Sequence, residues 1–173
     1  IVTITSTAPN ATNTSPIPVT VTFNEAVTGF IAGEVSVSNG ALSGFTGSGT
    51  TYNFNVTPSA NGVVTVNVAG NVAQDAAGNL NSAAVPLSRT YDNVAPTVAV
   101  SPPSLSVANN GVSVTYTVTY TGADSVTLAN ANIALNATGT ANGSLAVTGS
   151  GTASRTVTIS NITGFDGTLG ITI

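Results

Sequence analysis

Val19-Thr20-Val21-Thr22-Phe23 decides the fold. Apolar residues alternate with threonine, and a period of two places alternate side chains on opposite faces of an extended chain. One face is therefore buried and the other meets water. The pattern returns in Tyr52-Asn53-Phe54-Asn55-Val56-Thr57 and in Val64-Thr65-Val66-Asn67-Val68. It is longest in Val112–Thr121, where Tyr116 and Tyr120 share the parity of Val112, Val114 and Val118 and so belong to a core, not to an exposed aromatic platform. Helical periodicity of useful length is absent. Strands buried on one face only imply antiparallel sheets packed as a sandwich.

Working outward, the first half reads as strands over Ile1–Thr7, Val19–Asn24, Glu34–Ser38, Ala41–Phe45, Thr51–Thr57, Gly62–Val68 and Val85–Asp92. Asn39-Gly40 has the composition of a tight hairpin turn, and Thr46–Gly49 and Pro58–Asn61 supply further turns. Seven short strands with such punctuation predict an immunoglobulin-like sandwich. The second half repeats the plan over Thr97–Val107 (broken at Pro102-Pro103), Val112–Thr121, Asn132–Asn136, Leu145–Gly149, Arg155–Ile162 and Leu169–Ile173.

Thr46-Gly47-Ser48-Gly49-Thr50 against Thr148-Gly149-Ser150-Gly151-Thr152 makes the repeat explicit, with Asn136–Ser144 extra in the second copy. Leu169–Ile173 corresponds to Gly62–Val68, and nothing after it matches Val72–Asp92. The second sandwich is thus expected to lack its last strand and to present an open edge. The expected domains are 1–94 and 95–173, joined through Tyr91-Asp92-Asn93-Val94-Ala95-Pro96-Thr97, with Pro96 limiting local freedom.

Composition excludes more than it assigns. The chain of 173 residues has no His, Cys, Lys, Met or Trp, a formal charge of −4 and only 5% charged residues. No nucleophile–His pair can be built, and zinc, haem or iron–sulfur ligation through His or Cys is ruled out. Two arginines, Arg89 and Arg155, make no phosphate-binding stripe, so no nucleic acid partner is expected. No apolar run has the length of a membrane span, so no membrane insertion is expected either. A chain without Cys or Met resists oxidation, which suits exposure outside a cell. The absence of an initiating Met reads most simply as a segment of a longer polypeptide.

Val21-Thr22-Phe23-Asn24-Glu25-Ala26-Val27-Thr28-Gly29-Phe30, then Val37-Ser38-Asn39-Gly40, then Gln74-Asp75-Ala76-Ala77-Gly78-Asn79 resemble the repeat consensus of bacterial immunoglobulin-like domains. The likeness covers nearly all of residues 1–97 and is weaker over 98–173, which has no Asp-Ala-Ala-Gly-Asn segment. The resemblance implies a tandem repeat from a large secreted or surface-attached bacterial protein, commonly an adhesin, in which such modules are spacers between an anchor and a tip. It implies no catalysis.

Oxygen-only chemistry leaves a hard cation such as calcium as the one metal to weigh. Strand parity places Glu25, Asp75 and Asn79 at one end of the first module and Asp92 and Asn93 at the other, with Asp124 on the side of the second module that faces the linker. Asp92, Asn93 and Asp124 then form a candidate calcium site at the joint, and Glu25 and Asp75 a half-site toward a preceding repeat. The competing reading of Asp75–Asn79 is a turn in which the carboxylate accepts neighbouring backbone bonds. Asp124-Ser125-Val126 also matches a short O-glycosylation pattern of bacterial surface proteins.

Two roles follow. In the first, the modules are a non-catalytic stalk whose only partners are neighbouring repeats, each adding on the order of 35–45 Å of reach at the cell surface. In the second, the chain is a subunit of an extracellular filament, sheath or surface layer, assembled with identical chains by strand donation to the open second sandwich.

Overall fold

The computed structural model describes residues 1–108, 111–164 and 166–173. The chain divides into two compact units, Ile1–Asn93 and Val94–Ile173. Both are built from antiparallel strands, and the described residues contain no α-helix.

The first unit is an immunoglobulin-like sandwich. One sheet holds β1 (Val2–Thr5), β2 (Ile17–Val27) and β4 (Gly40–Pro58) in the order β1-β2-β4; the other holds β3 (Val35–Ser38), β5 (Gly62–Val68) and β6 (Leu87–Tyr91) in the order β3-β5-β6. The inward parity is the one expected. Val19, Val21, Phe23, Tyr52, Phe54, Val56, Val64, Val66 and Val68 form the core, while Thr22, Asn53 and Asn55 face water. Phe23, Phe30 and Tyr52 meet edge to face with centroids 5.0–5.9 Å apart, the geometry that ring quadrupoles favour.

The long run β4 doubles back on itself. Thr46 Oγ1 donates to Asn53 O at 3.4 Å, Phe45 stacks on Tyr52 and Phe54, and Gly47 lies against the backbone of Thr51 and Tyr52. The expected pair Ala41–Phe45 and Thr51–Thr57 is therefore present as the two arms of a hairpin. Gly47, at φ 125°, sits where a Cβ would come within 2.3 Å of Thr51 O, so the turn admits no side chain there.

Asn39-Gly40 behaves differently from expectation. Asn39 has a positive φ of 54°, but β3 bonds to β5 and β4 bonds to β2, so the pair carries the chain from one sheet to the other and closes no hairpin. Two contacts fix this crossing: Ser59 N donates to Asn39 O, and Asn39 Nδ2 donates to Ala60 O at 2.9 Å. Strand ends also differ for local reasons. Ser6 stops β1 by donating to Pro18 O and accepting from Ala8 N, and Pro86, with no N–H, delays the start of β6 to Leu87.

The second unit has β7 (Thr97–Val100), β8 (Val114–Thr121), β9 (Ala134–Ala137), β10 (Asn142–Thr148), β11 (Ser154–Thr163) and β12 (Leu169–Thr172). Its sheets run β10-β11-β8-β7 and β12-β9, around a core of Val114, Tyr116, Val118, Ile133, Val157, Ile159 and Ile162. Beyond Val100 the chain still follows β8, with Ser101 N donating to Thr117 O and Ser104 N to Thr115 O, and Pro102-Pro103 interrupt only the regular ladder. Among the described residues, β12 pairs with β9 alone.

Candidate functional site

The acidic residues singled out by sequence lie on exposed turns and strand ends. Asp75 opens the turn that follows β5, and its carboxylate is taken up by that turn. Oδ1 accepts from Ala77 N and Asn79 N, each at 2.8 Å, and Oδ2 accepts from Asn79 Nδ2 at 2.8 Å. Hydrogen bonding from the Asn79 side chain, then from backbone N–H groups, holds the Asp75 carboxyl below its ordinary value. This is the turn geometry weighed above. Gln74 bridges to Thr28, which brings the turn to the end of the unit where Glu25 accepts from Asn24 Nδ2 at 3.5 Å.

Asp92 and Asn93 lie at the other end of the first unit. Asn61 Nδ2 donates to Asp92 Oδ1 at 3.0 Å, and Asn93 N donates to Asn61 Oδ1 at 3.2 Å. Asp124 is exposed in the turn that follows β8 in the second unit. Among the described residues, no group of three or more His, Cys, Asp or Glu side chains comes together.

Neither arginine presents its charge as an anion site. Arg89 donates through Nε to Ala8 O, and through its terminal nitrogens to Ser88 O and Ser6 O. Arg155, only 8% exposed, donates to Gly151 O, Ser154 O and Val126 O, each at 2.8 Å. Both guanidiniums tie strands to loops. No helix of the described residues is long and apolar enough to cross a membrane.

Sandwich, turn and strand order invite comparison with known domains. A family model for the bacterial Ig-like domain matches residues 1–91. The chain belongs to the bacterial Ig-like domain family. Such domains typically occur in extracellular and surface proteins as structural repeats, and the family is generally non-catalytic. Comparison with curated proteins found no match, and comparison with solved structures found none.

Sequence reasoning passed over Asn81, a densely bonded residue of this bacterial Ig-like unit. Asn81 Oδ1 accepts from Val72 N and Ala73 N, and its Nδ2 donates to Ala69 O and Ser82 O, all within 2.8–2.9 Å. One side chain thus ties together the two ends of the connection from β5 to β6. In a chain so rich in asparagine, its local sequence gives no sign of this, because its partners lie up to twelve residues away.

Proposed function

We propose that this chain is a non-catalytic stalk segment of a large secreted or cell-surface bacterial protein of the adhesin type, holding a distal part away from the cell. The observation that carries it is the path through the first sandwich. The chain enters beside Asn24, whose N–H donates to Ile1 O at 3.1 Å, near the end of β2 that pairs Val27 with Gly49. It leaves at Asp92, bonded to Asn61, near the opposite end where Ile17 pairs with Val56. A module entered at one end and left at the other adds its own length to whatever it joins. Water-facing Thr, Ser and Asn give it an outer face with little to attract other proteins.

The test is made in the parent protein on the cell surface. Deleting residues 1–93 is expected to weaken attachment, and replacing them by an unrelated sandwich of equal length is expected to restore it. Attachment that the unrelated module fails to restore would show that this surface itself binds, and would end the spacer reading.

A further inference from the structure

An asparagine followed by glycine can modify itself, because glycine puts no side chain in the way when its backbone nitrogen turns on the asparagine carboxamide. Three such steps lie wholly among the described residues, Asn39-Gly40, Asn61-Gly62 and Asn142-Gly143; Asn110-Gly111 includes a residue outside them. Bonds to distant segments hold the first two and not the third. Asn39 Nδ2 donates to Ala60 O at 2.9 Å, and the Asn39 carbonyl accepts from Ser59 N. Asn61 is held at both ends of its carboxamide: Nδ2 donates to Asp92 Oδ1 at 3.0 Å, and Oδ1 accepts from Asn93 N at 3.2 Å. Gly62 in turn lies in the ladder opposite Tyr91. For either carboxamide, turning toward the following glycine breaks these bonds.

Asn142 is exposed, and among the described residues its side chain makes one hydrogen bond, accepting from Gly143 N at Oδ1 at 2.8 Å. The nitrogen that attacks in such a reaction therefore already faces the carboxamide it attacks. Holding a nucleophile beside its target is what makes an intramolecular step fast. The ladder leaves room for it. Asn142 pairs with Thr163 and Ser144 with Ser160, so the register of β10 against β11 shifts at Gly143, and a bulge of this kind releases a residue from regular pairing. Packing also demands glycine here, since a Cβ would lie 2.7 Å from Ile159 Cγ2 and 3.2 Å from Ser160 O. The contact that fixes the glycine thus supplies the unhindered nucleophile.

We propose that Asn142 is a self-modification site, at which the second unit slowly converts asparagine to isoaspartate or aspartate and loosens the end of the β10–β11 pair. The Gly143 nitrogen gives its proton to hydroxide or water and bonds to Asn142 Cγ; the Cγ–Nδ2 bond breaks, and Nδ2 leaves as ammonia after taking a proton from solvent. Water then opens the five-membered imide. Opening at the Asn142 main-chain carbonyl gives isoaspartate, and opening at Cγ gives aspartate. The sum is one water in and one ammonia out, with nothing oxidised or reduced. Isoaspartate adds a methylene to the main chain where Asn142 pairs with Thr163, next to the buried Ile162, and either product adds a carboxylate to a chain whose formal charge is −4. The site does not depend on the spacer reading.

The test incubates the full chain at mildly alkaline pH, folded and in denaturing urea, and assigns each converted asparagine by fragment mass spectrometry, with isoaspartyl methyltransferase as an independent probe. In the folded chain Asn142 is expected to convert about 10–100-fold faster than Asn39 and Asn61, and in urea the three are expected to react at similar rates. Asn142→Gln, whose longer side chain closes a less favourable ring, is expected to lose the isoaspartate signal at that position and to keep the unfolding transition of the second unit. Aged chain is expected to show faster amide exchange at Ile162 and Thr163, with Val64 and Val66 unchanged. Conversion of Asn142 in the folded chain no faster than that of Asn39 and Asn61 would overturn the site, and unchanged exchange at Ile162 and Thr163 in the converted chain would overturn the loosening.

Discussion

Gly40→Ala tests whether the crossing between sheets is as tight as the packing implies. Gly40 has no positive φ, so an alanine meets no backbone strain there, and only space decides the outcome. An added Cβ would lie 2.8 Å from Val56 Cγ1 and 3.1 Å from Thr57 O. Val56 is fully buried and its branched side chain has little rotameric freedom, so relief requires the backbone of β4 to move. Overpacking of this kind costs about 1–3 kcal/mol, offset by about 0.4–1 kcal/mol from the narrower unfolded ensemble of alanine. The net loss, about 1.3 kcal/mol at mid-range and at most about 2.6 kcal/mol, corresponds at mid-range to a fall of roughly 5–10 °C in the melting temperature of a unit this size. Gly33→Ala is the control, since its nearest neighbour is Ile31 Cδ1 at 4.0 Å and it gains only the entropic benefit. Urea titration followed by amide exchange at Val56 and Val66 reads the first unit directly. If Gly40→Ala matched Gly33→Ala in stability, the reasoning from contact distance would be refuted.

Three further outcomes are expected. Arg155→Met keeps the aliphatic stem but removes all three carbonyl contacts of the guanidinium, and is expected to destabilise the second unit by about 2–4 kcal/mol, read as faster exchange at Val157. Asn81→Ala leaves the N–H groups of Val72 and Ala73 without their acceptor and is expected to cost about 2 kcal/mol, with exchange rising first across residues 69–82. Asp75 has a folded pKa below its ordinary 3.8, so its contribution is fully present above that value and is lost as pH falls through the lower folded one. Asp75→Ala is therefore expected to be less stable than the original chain at neutral pH, with the gap closing under acid; a gap that stayed constant with pH would show that the carboxylate charge is not involved.

Most of the fold was legible because β-structure buried on one face leaves its period in the residues. Val19, Val21 and Phe23 fixed the inward face of β2, and once Tyr52, Phe54 and Val56 shared that parity the pairing of β2 with β4 had few alternatives. What stayed hidden was which sheet each strand joins. Asn39-Gly40 reads as a hairpin by composition, since positive φ at Asn is the local requirement of a hairpin turn and of a sheet crossing alike. The difference lies in Asn39 clamping Ser59 and Ala60, a contact some twenty residues away in sequence that no local rule contains.

The same limit explains why the acidic residues drew attention and the arginines did not. A carboxylate in a chain with 5% charge stands out, yet Asp75 spends its acceptors on the turn it begins. Arg155 sits at the place that Tyr52 fills in the first unit, each opposite the central valine of its neighbouring strand. Tyr52 reaches Val27 O with one hydroxyl at 3.3 Å; Arg155 reaches Val126 O, Gly151 O and Ser154 O. Both side chains span the sheet with an apolar stem and end on backbone carbonyls of the loop beyond. An unclustered cation in a nearly neutral chain is therefore better read as a long-reach hydrogen-bond donor than as a binding charge.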